Sequence, residues 1–167
     1  MSTGTNTIKF IARKDVPVNR TVTYGRIVAT ICPAKAKTHR VRLTVGGDRI
    51  YYASDKSTPT ADLSIIKTLL NYTISTTNAN FFTVDVNNFY LNTPISTFEY
   101  MHLPINIIPE EIIVQYDLLP LVIDGYVYIE IRKYMYGFPQ AGKIAYDRLK
   151  HHLTKYDYSP ALFTPGL

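Results

Sequence analysis

Residues 121–133 have the sequence LVIDGYVYIEIRK, which carries the strongest hairpin signal in the chain. Asp124 and Gly125 form a dipeptide that favours a two-residue β-turn, because both residue types adopt a positive φ at low cost. The apolar and β-branched residues on either side are typical of strands. The sequence therefore predicts two strands joined by a tight turn at residues 124–125.

The first third of the chain alternates β-favouring runs with turn residues. Around residue 42, apolar residues alternate with arginine and threonine, which places basic side chains along one face of a strand. This pattern predicts a small antiparallel sheet with basic edges. Predicted strands span residues 6–14, 21–31 and 38–47 in this part, and residues 81–88 and 98–105 further on.

Three stretches have the apolar spacing of helices. The clearest helix start is in residues 56–75, where Ser57 or Thr58 is the expected cap, followed by Pro59 and Asp62. Its buried face is predicted to consist of Leu63, Ile66, Leu69 and Leu70. Two more helices are predicted, at residues 109–119 with Pro109 in first position, and at 143–158 with Ile144, Leu149 and Leu153 on the inner side.

Strands and helices follow each other without a regular βαβ order. The predicted fold class is therefore α+β, with a mixed or antiparallel sheet and one domain over residues 1–167. The chain has 167 residues, of which 46% are apolar, so it can bury a core. Its single cysteine, Cys32, excludes a disulfide framework and a four-thiolate zinc site.

The sequence also bears on location. No apolar run approaches the roughly 20 residues that span a bilayer, and the polar first residues do not form a signal peptide. We expect an intracellular protein, cytoplasmic or nuclear, without a membrane partner.

Charge is divided into three blocks along the chain. Lys and Arg outnumber Asp and Glu by 11 to 3 in residues 1–60 and by 6 to 2 in residues 132–167, whereas residues 61–131 have 1 against 8. A basic part beside an acidic part suits a protein that binds phosphates with one and concentrates cations with the other. A surface that merely keeps the protein in solution is an equally weighted alternative.

Asp85 lies in the stretch FFTVDVNNFYLN, residues 81–92. The flanking Phe82, Val84, Val86 and Phe89 predict burial, and a buried carboxylate is costly unless it is paired or bound to a metal ion. A hard cation such as Mg²⁺ suits a carboxylate beside backbone carbonyls. The alternative is that Asp85 caps the turn at residues 87–88.

Three stretches resemble motifs of copia-type retrotransposon reverse transcriptases. FFTVDVNNFYLNTPI followed by EYMHLP resembles the strand that ends in a catalytic Asp, with an aromatic residue five positions later. YVYIEIRKYMYGFPQAGKIAYDRL resembles the family's next signature, and THRVRLTVGGD resembles its basic fingers strand. The resemblance implies a reverse transcriptase-like fold, with polymerase fingers over about residues 1–60 and a partial palm over about 61–167.

The resemblance also implies roles for single residues. Asp85, helped by the carbonyl of Val86, would hold two Mg²⁺ ions for transfer of a deoxynucleotide to a primer. Tyr90 would lie beneath the incoming sugar, although taken alone it is more typical of a core aromatic next to Phe89. Arg40 and Arg42 would reach the triphosphate, with an exposed sheet face as the alternative and the inward-facing arginine left open.

The loop and helix after the last strand complete this set. Gly137, Gln140 and Ala141 match the family's loop that packs against template and nucleotide, although a glycine turn that only begins a helix fits as well. Gly142 and Lys143 stand where family members commonly have Pro-Arg. Lys143, Arg148 and Lys150 would face a phosphate backbone, or simply solvent.

One expected part of the family's active site is missing. The family supplies further carboxylates in an Asp-Asp hairpin, and neither Asp147 nor Asp157 fits that pattern. The sequence therefore predicts a fragment of a retroelement polyprotein, an RNA-directed DNA polymerase that binds template-primer and deoxynucleotides but is inactive alone. The alternatives are a non-catalytic basic nucleic-acid-binding module and a decayed transposon remnant.

Overall fold

The computed structural model of the chain describes residues 5–34, 38–58, 60–81 and 83–162. These residues form an α+β fold with one five-stranded sheet, which confirms the predicted fold class. The strands are β1 (Ile8–Ile11), β2 (Val22–Ile31), β3 (His39–Val45), β4 (Pro94–Pro104) and β5 (Tyr126–Lys133). The helices are α1 (Leu63–Ser75), α2 (Glu110–Gln115) and α3 (Ala141–Thr154).

The sheet has the strand order β1-β5-β4-β2-β3. Only β2 and β4 are parallel, with Val22 opposite Tyr100 and Tyr24 opposite His102, and the other three pairs are antiparallel. Of the small antiparallel sheet expected in the first third, the β2–β3 pair forms, but β1 pairs with β5 instead and β2 also pairs with β4. The basic and acidic parts of the chain share one sheet.

The inner face of the sheet carries the main core. Met101 on β4 and Val127, Ile129 and Ile131 on β5 are completely buried, as strict alternation along a half-buried strand requires. Each such side chain contributes roughly 1.5–3 kcal/mol through removal from water. Helix α2 and the short turns around it cover part of this face through Ile108, Ile112 and Leu118.

The sheet curls so that its two edge strands approach each other. Ile8 and Phe10 of β1 and Val41 and Leu43 of β3 line one apolar cavity of about 780 Å³. Strongly twisted sheets tend to curl in this way. The curl brings the basic strand β3 close to elements that are distant from it along the sheet.

Helix α1 forms, but its expected burial is wrong. The cap is Asp62, whose carboxylate accepts a hydrogen bond of 2.7 Å from the Ser64 amide, rather than Ser57 or Thr58. Pro59 lies outside the described residues. No residue of α1 is buried, and Leu63 on the predicted inner face is 63% exposed. Amphipathic spacing specifies a helix, but it does not supply an element for the helix to pack against.

The predicted strand at residues 81–88 is also wrong in the described residues. Residues 83–86 have no regular secondary structure, and Val84 is 72% exposed. The places on both sides of β4 are taken by β5 and β2, so this stretch has no position beside the central strand. Phe82 lies outside the described residues.

The turn at residues 124–125 is confirmed, and both of its residues have a positive φ, +53° and +81°. Its first arm is only the bridge between Ile123 and Tyr126. Helix α2 begins one residue after Pro109 and is shorter than predicted. Helix α3 buries Ala141 and Ala145, whereas Leu153 is partly exposed.

Within the described ranges, no helix is both long enough and apolar enough to cross a membrane.

Candidate functional site

Three distant parts of the sequence meet beside the edge strand β3. The guanidinium carbon of Arg42 lies 5.1 Å from the ring centre of Tyr136. Tyr136 in turn meets the ring of Tyr90 edge-on, with 5.4 Å between the ring centres. We call these three residues the Arg42 cluster. Arg42 is on the predicted fingers strand, Tyr90 is five positions after Asp85, and Tyr136 is in the loop before α3.

Gly137 holds the cluster together through the backbone. The Val45 amide donates a 2.8 Å hydrogen bond to the Tyr136 carbonyl, which fixes residue 136 against β3. Gly137 has φ +102°, and a Cβ at this position would lie 2.0 Å from the Val45 carbonyl oxygen. Only glycine tolerates both conditions. The close approach that this glycine permits is to β3, whereas the sequence predicted an approach to a base.

A cavity of about 350 Å³ opens beside the Arg42 cluster. Arg40 and Arg42 both line it, together with Asn88 and Leu91. Arg42 is half-buried and lies over Tyr136, whereas Arg40 is exposed. The structure thus resolves which of the two arginines packs inward.

Tyr90 is a core aromatic that also contacts Tyr136. It packs against the main core and lies beside Phe89, with 5.8 Å between the ring centres. It is nevertheless half-buried rather than enclosed, and its ring meets that of Tyr136, which lines the cavity. A Cβ on Gly142 would lie 4.0 Å from its hydroxyl, so the start of α3 is close to it.

Gln140 and Ala141 are buried rather than presented at the surface. Burial raises the pKa of the Tyr134 phenol, and a hydrogen bond from the Gln140 side chain opposes that rise. The Oε1 atom of Gln140 has no partner among the described residues. The side chain of Gln140 therefore forms a hydrogen bond with Tyr134 inside the protein and is not available at the surface.

Asp85 does not lie in a buried site. Its side chain is exposed, and it accepts no hydrogen bond from the described residues, so the expected turn cap is not formed either. The argument from burial to a metal ion therefore fails for this residue. Val86, the other expected metal ligand, is also exposed.

Magnesium does not fit the side chains that surround Asp85. No group of three or more His, Cys, Asp or Glu residues that could hold a metal ion occurs in the described part of the chain. A two-metal centre needs several oxygen ligands arranged around both ions. One exposed carboxylate beside a backbone carbonyl does not provide them.

The three basic residues predicted on the last helix have different surroundings. Lys143 forms an ion pair with Asp147 at 2.6 Å, and this hydrogen bond raises the pKa of the lysine. Arg148 donates a 2.6 Å hydrogen bond to the Asn92 carbonyl. Lys150 is exposed. A phosphate would have to compete with these internal contacts at two of the three positions.

Several arginines in the first third lack such internal partners. Within residues 5–34, 38–58, 60–81 and 83–162, ion pairs are formed by Arg20, Arg132 and Lys143. A guanidinium without a carboxylate partner keeps its donors available for phosphate oxygens. The arginines without a carboxylate within 4.0 Å include Arg13, Arg26, Arg40, Arg42 and Arg49.

Tyr136 is the site residue that the sequence did not predict. Tyr134 and Met135 before it are both buried, whereas Tyr136 is exposed, so the alternation of β5 does not continue past Lys133. No local pattern in the sequence therefore indicates that Tyr136 contacts Arg42.

Comparisons of the chain with models of protein families, with curated proteins and with solved structures find no match.

Proposed function

We propose that this chain is the nucleotide-binding part of an RNA-directed DNA polymerase like those of copia-type retrotransposons. The observation that supports the proposal is the Arg42 cluster, since three motifs that resemble this family in sequence have residues in one place. Arg42, Tyr90 and the loop residue next to Gly137 come from separate parts of the chain. These three segments are far apart in the sequence, so only the fold of the chain brings them together.

The cluster has suitable chemistry for a nucleoside triphosphate. The Arg42 guanidinium is held over Tyr136, which limits its freedom before a phosphate arrives. It has no carboxylate partner among the described residues, so its planar fork is available for two phosphate oxygens. Arg40 on the same cavity adds a second cation at the rim.

Tyr90 supplies the surface for the sugar in this proposal. Its ring contacts Tyr136, which lines the cavity, and its packing against the main core keeps the ring in place. A rigid aromatic ring under the sugar would leave little room for a ribose 2′-hydroxyl. The proposed ligands are therefore a deoxynucleoside triphosphate and the template-primer that directs it.

The proposal is restricted to binding. The surroundings of Asp85 do not fit the magnesium ions that the resemblance implies, so no step of nucleotidyl transfer is assigned to the described residues. A polymerase activity would require carboxylates from elsewhere.

Titration of the purified chain with a fluorescent deoxyadenosine triphosphate tests the proposal. We expect Arg42→Ala to weaken binding about tenfold, because a hydrogen bond to a charged group contributes about 1.5–3 kcal/mol. Arg42→Lys retains the charge but not the planar fork and should recover only part of the affinity. Lys67→Ala removes an exposed charge on α1 and serves as the control.

Equal affinities for Arg42→Ala and Lys67→Ala would contradict the proposal. The second candidate is a basic nucleic-acid-binding module without chemistry, favoured by the several arginines that have no carboxylate partner. Steeply salt-dependent binding of nucleic acid, with no detectable binding of the triphosphate, would favour that module.

A further inference from the structure

The outer face of the sheet carries a row of aromatic rings that the Arg42 cluster does not use. Tyr24 on β2 is opposite His102 on β4, and His102 is opposite Tyr128 on β5. Residues in register on neighbouring strands point to the same face, so these three rings form one row. Strands are about 4.8 Å apart, which gives the row a length of about 10 Å. Tyr126 lies beside it, with its ring centre 4.7 Å from that of His102.

Arginines lie over the rings at both ends of the row. The guanidinium carbon of Arg13 is 5.1 Å from the ring centre of Tyr128. At the other end, those of Arg26 and Arg49 are 5.2 and 5.4 Å from the ring centre of Tyr24. An exposed guanidinium that lies over a ring can also contact a second flat group, because guanidinium groups stack on aromatic faces. Both ends of the row therefore present a charged stacking surface.

We propose that this outer face binds single-stranded nucleic acid. We call it the outer platform, and it consists of Tyr24, His102, Tyr126 and Tyr128 with Arg13, Arg26 and Arg49. Non-specific binding of single strands requires cations that follow the phosphates and flat groups on which bases stack. The outer platform has both, and it does not depend on the nucleotide site proposed above.

The local charge favours a polyanion. Arg13, Arg26 and Arg49 have no carboxylate within 4.0 Å among the described residues. Two acidic residues are close to them along the chain, Asp15 in the turn of Arg13 and Asp48, which accepts a 2.7 Å hydrogen bond from the Tyr24 hydroxyl. The acid farther along this face, Glu130, is already paired with Arg132 at 2.8 Å. The outer platform keeps a net positive charge.

The accessible groups favour a single strand over a duplex. Tyr126 is 37% exposed, and Arg13, Arg26 and Arg49 are exposed at the surface. Stacking on such groups requires bases that are not paired within a helix. A duplex would offer only its phosphates, and Tyr126 would then contribute nothing to the affinity.

Fluorescence anisotropy with a labelled oligouridylate of about ten nucleotides tests the outer platform. We expect Arg13→Ala and Tyr126→Ala each to weaken binding by about tenfold, since stacking contributes roughly 1–3 kcal/mol per base. Arg13→Lys should recover only part of the loss, because lysine lacks the stacking plane. Lys14→Ala is the matched control, since it removes a neighbouring exposed charge from the same turn.

Several results would overturn the proposal. If Lys14→Ala weakens binding as much as Arg13→Ala, the attraction is diffuse charge rather than a built site. If a duplex of the same length binds as tightly as the single strand and Tyr126→Ala has no effect, the stacking role is wrong. Should Tyr126→Ala fail to fold by circular dichroism, Arg49→Ala and Arg13→Ala provide the same comparison.

The nucleotide site is distinguished by a separate measurement. Binding of the deoxynucleoside triphosphate should be unchanged within about twofold in Arg13→Ala, because Arg13 belongs neither to the Arg42 cluster nor to the lining of the cavity beside it. If Arg42→Ala abolishes binding of the oligouridylate while Arg13→Ala leaves it intact, the single strand binds at the Arg42 cluster and the outer platform is wrong.

Discussion

Strand β5 and helix α1 have similar apolar content but opposite environments. In β5, Val127, Ile129 and Ile131 are completely buried between the sheet and α2. In α1, no residue is buried and Ile74 is 83% exposed. Both segments adopt the secondary structure that their patterns predict. The difference shows that periodicity determines the element, whereas burial depends on what the rest of the chain places against it.

The difference extends to the candidate sites. Both sites include side chains of the sheet. Arg42 is on β3, and the outer platform has its row of rings on β2, β4 and β5. Asp85, by contrast, follows α1 in a stretch that has no strand partner. The groups that need precise positions for binding are on the packed part of the molecule, and the expected metal ligand is on the other part.

The largest difference in stability is expected when the same substitution, isoleucine to alanine, is made in β5 and in α1. We expect Ile129→Ala to lower the free energy of unfolding by about 2–5 kcal/mol, because it leaves a cavity in a closed core. Ile74→Ala removes the same atoms from an exposed position and should change it by less than about 0.5 kcal/mol. Urea denaturation followed by circular dichroism measures both. Similar losses in the two variants would show that α1 is packed in solution.

A second comparison concerns two glycines with positive φ. Gly137→Ala should cost about 2–3 kcal/mol, because the new Cβ would meet the Val45 carbonyl oxygen and the backbone would be strained. Gly125→Ala has only the strain, since nothing lies within 4 Å of its Cβ, and should cost about 1 kcal/mol.

The same denaturation experiment compares these two variants. Binding of the triphosphate adds a second readout, because displacing residue 137 from β3 also displaces Tyr136 from Arg42. An unchanged affinity in a folded Gly137→Ala protein would separate the loop from the Arg42 cluster.

Local features of the fold were predictable from the sequence, and pairings over long distances were not. The turn at residues 124–125 follows from two residue types that accept a positive φ. The parallel pairing of β2 with β4 joins residues about 80 positions apart, and no local pattern encodes it. The burial of α1 was mispredicted for the same reason, because its partner is not specified by its own spacing.

The candidate site divides in a similar way. Arg42, Tyr90 and Gly137 follow from the resemblance in sequence, but their meeting through Tyr136 depends on the curl of the sheet. Asp85 was expected to be buried because apolar residues flank it. That inference assumed a strand in a sheet, and the stretch does not pair with any described strand.

The smallest effect should come from the cap of α1. Asp62→Ala removes the carboxylate that accepts the Ser64 amide, which typically costs a helix about 0.5–2 kcal/mol. Because α1 buries no residue, the loss should appear as fraying of this helix, with the free energy of unfolding of the sheet changed by less than about 0.5 kcal/mol. Hydrogen exchange should show faster amides in α1 and unchanged amides in β4 and β5.

Acid provides an independent check of the same cap. The Ser64 backbone hydrogen bond holds the pKa of Asp62 below its usual 3.8, so the carboxylate favours the helix above that value. Its contribution is lost as the pH falls through the lowered pKa. Below about pH 3.8, hydrogen exchange of the amides in the wild-type helix should therefore approach the exchange measured in Asp62→Ala. Both rates are compared with those of an uncapped peptide at the same pH. If the variant instead unfolds the sheet together with α1, the helix is part of one cooperative unit with the core, and the contrast between the two regions is wrong.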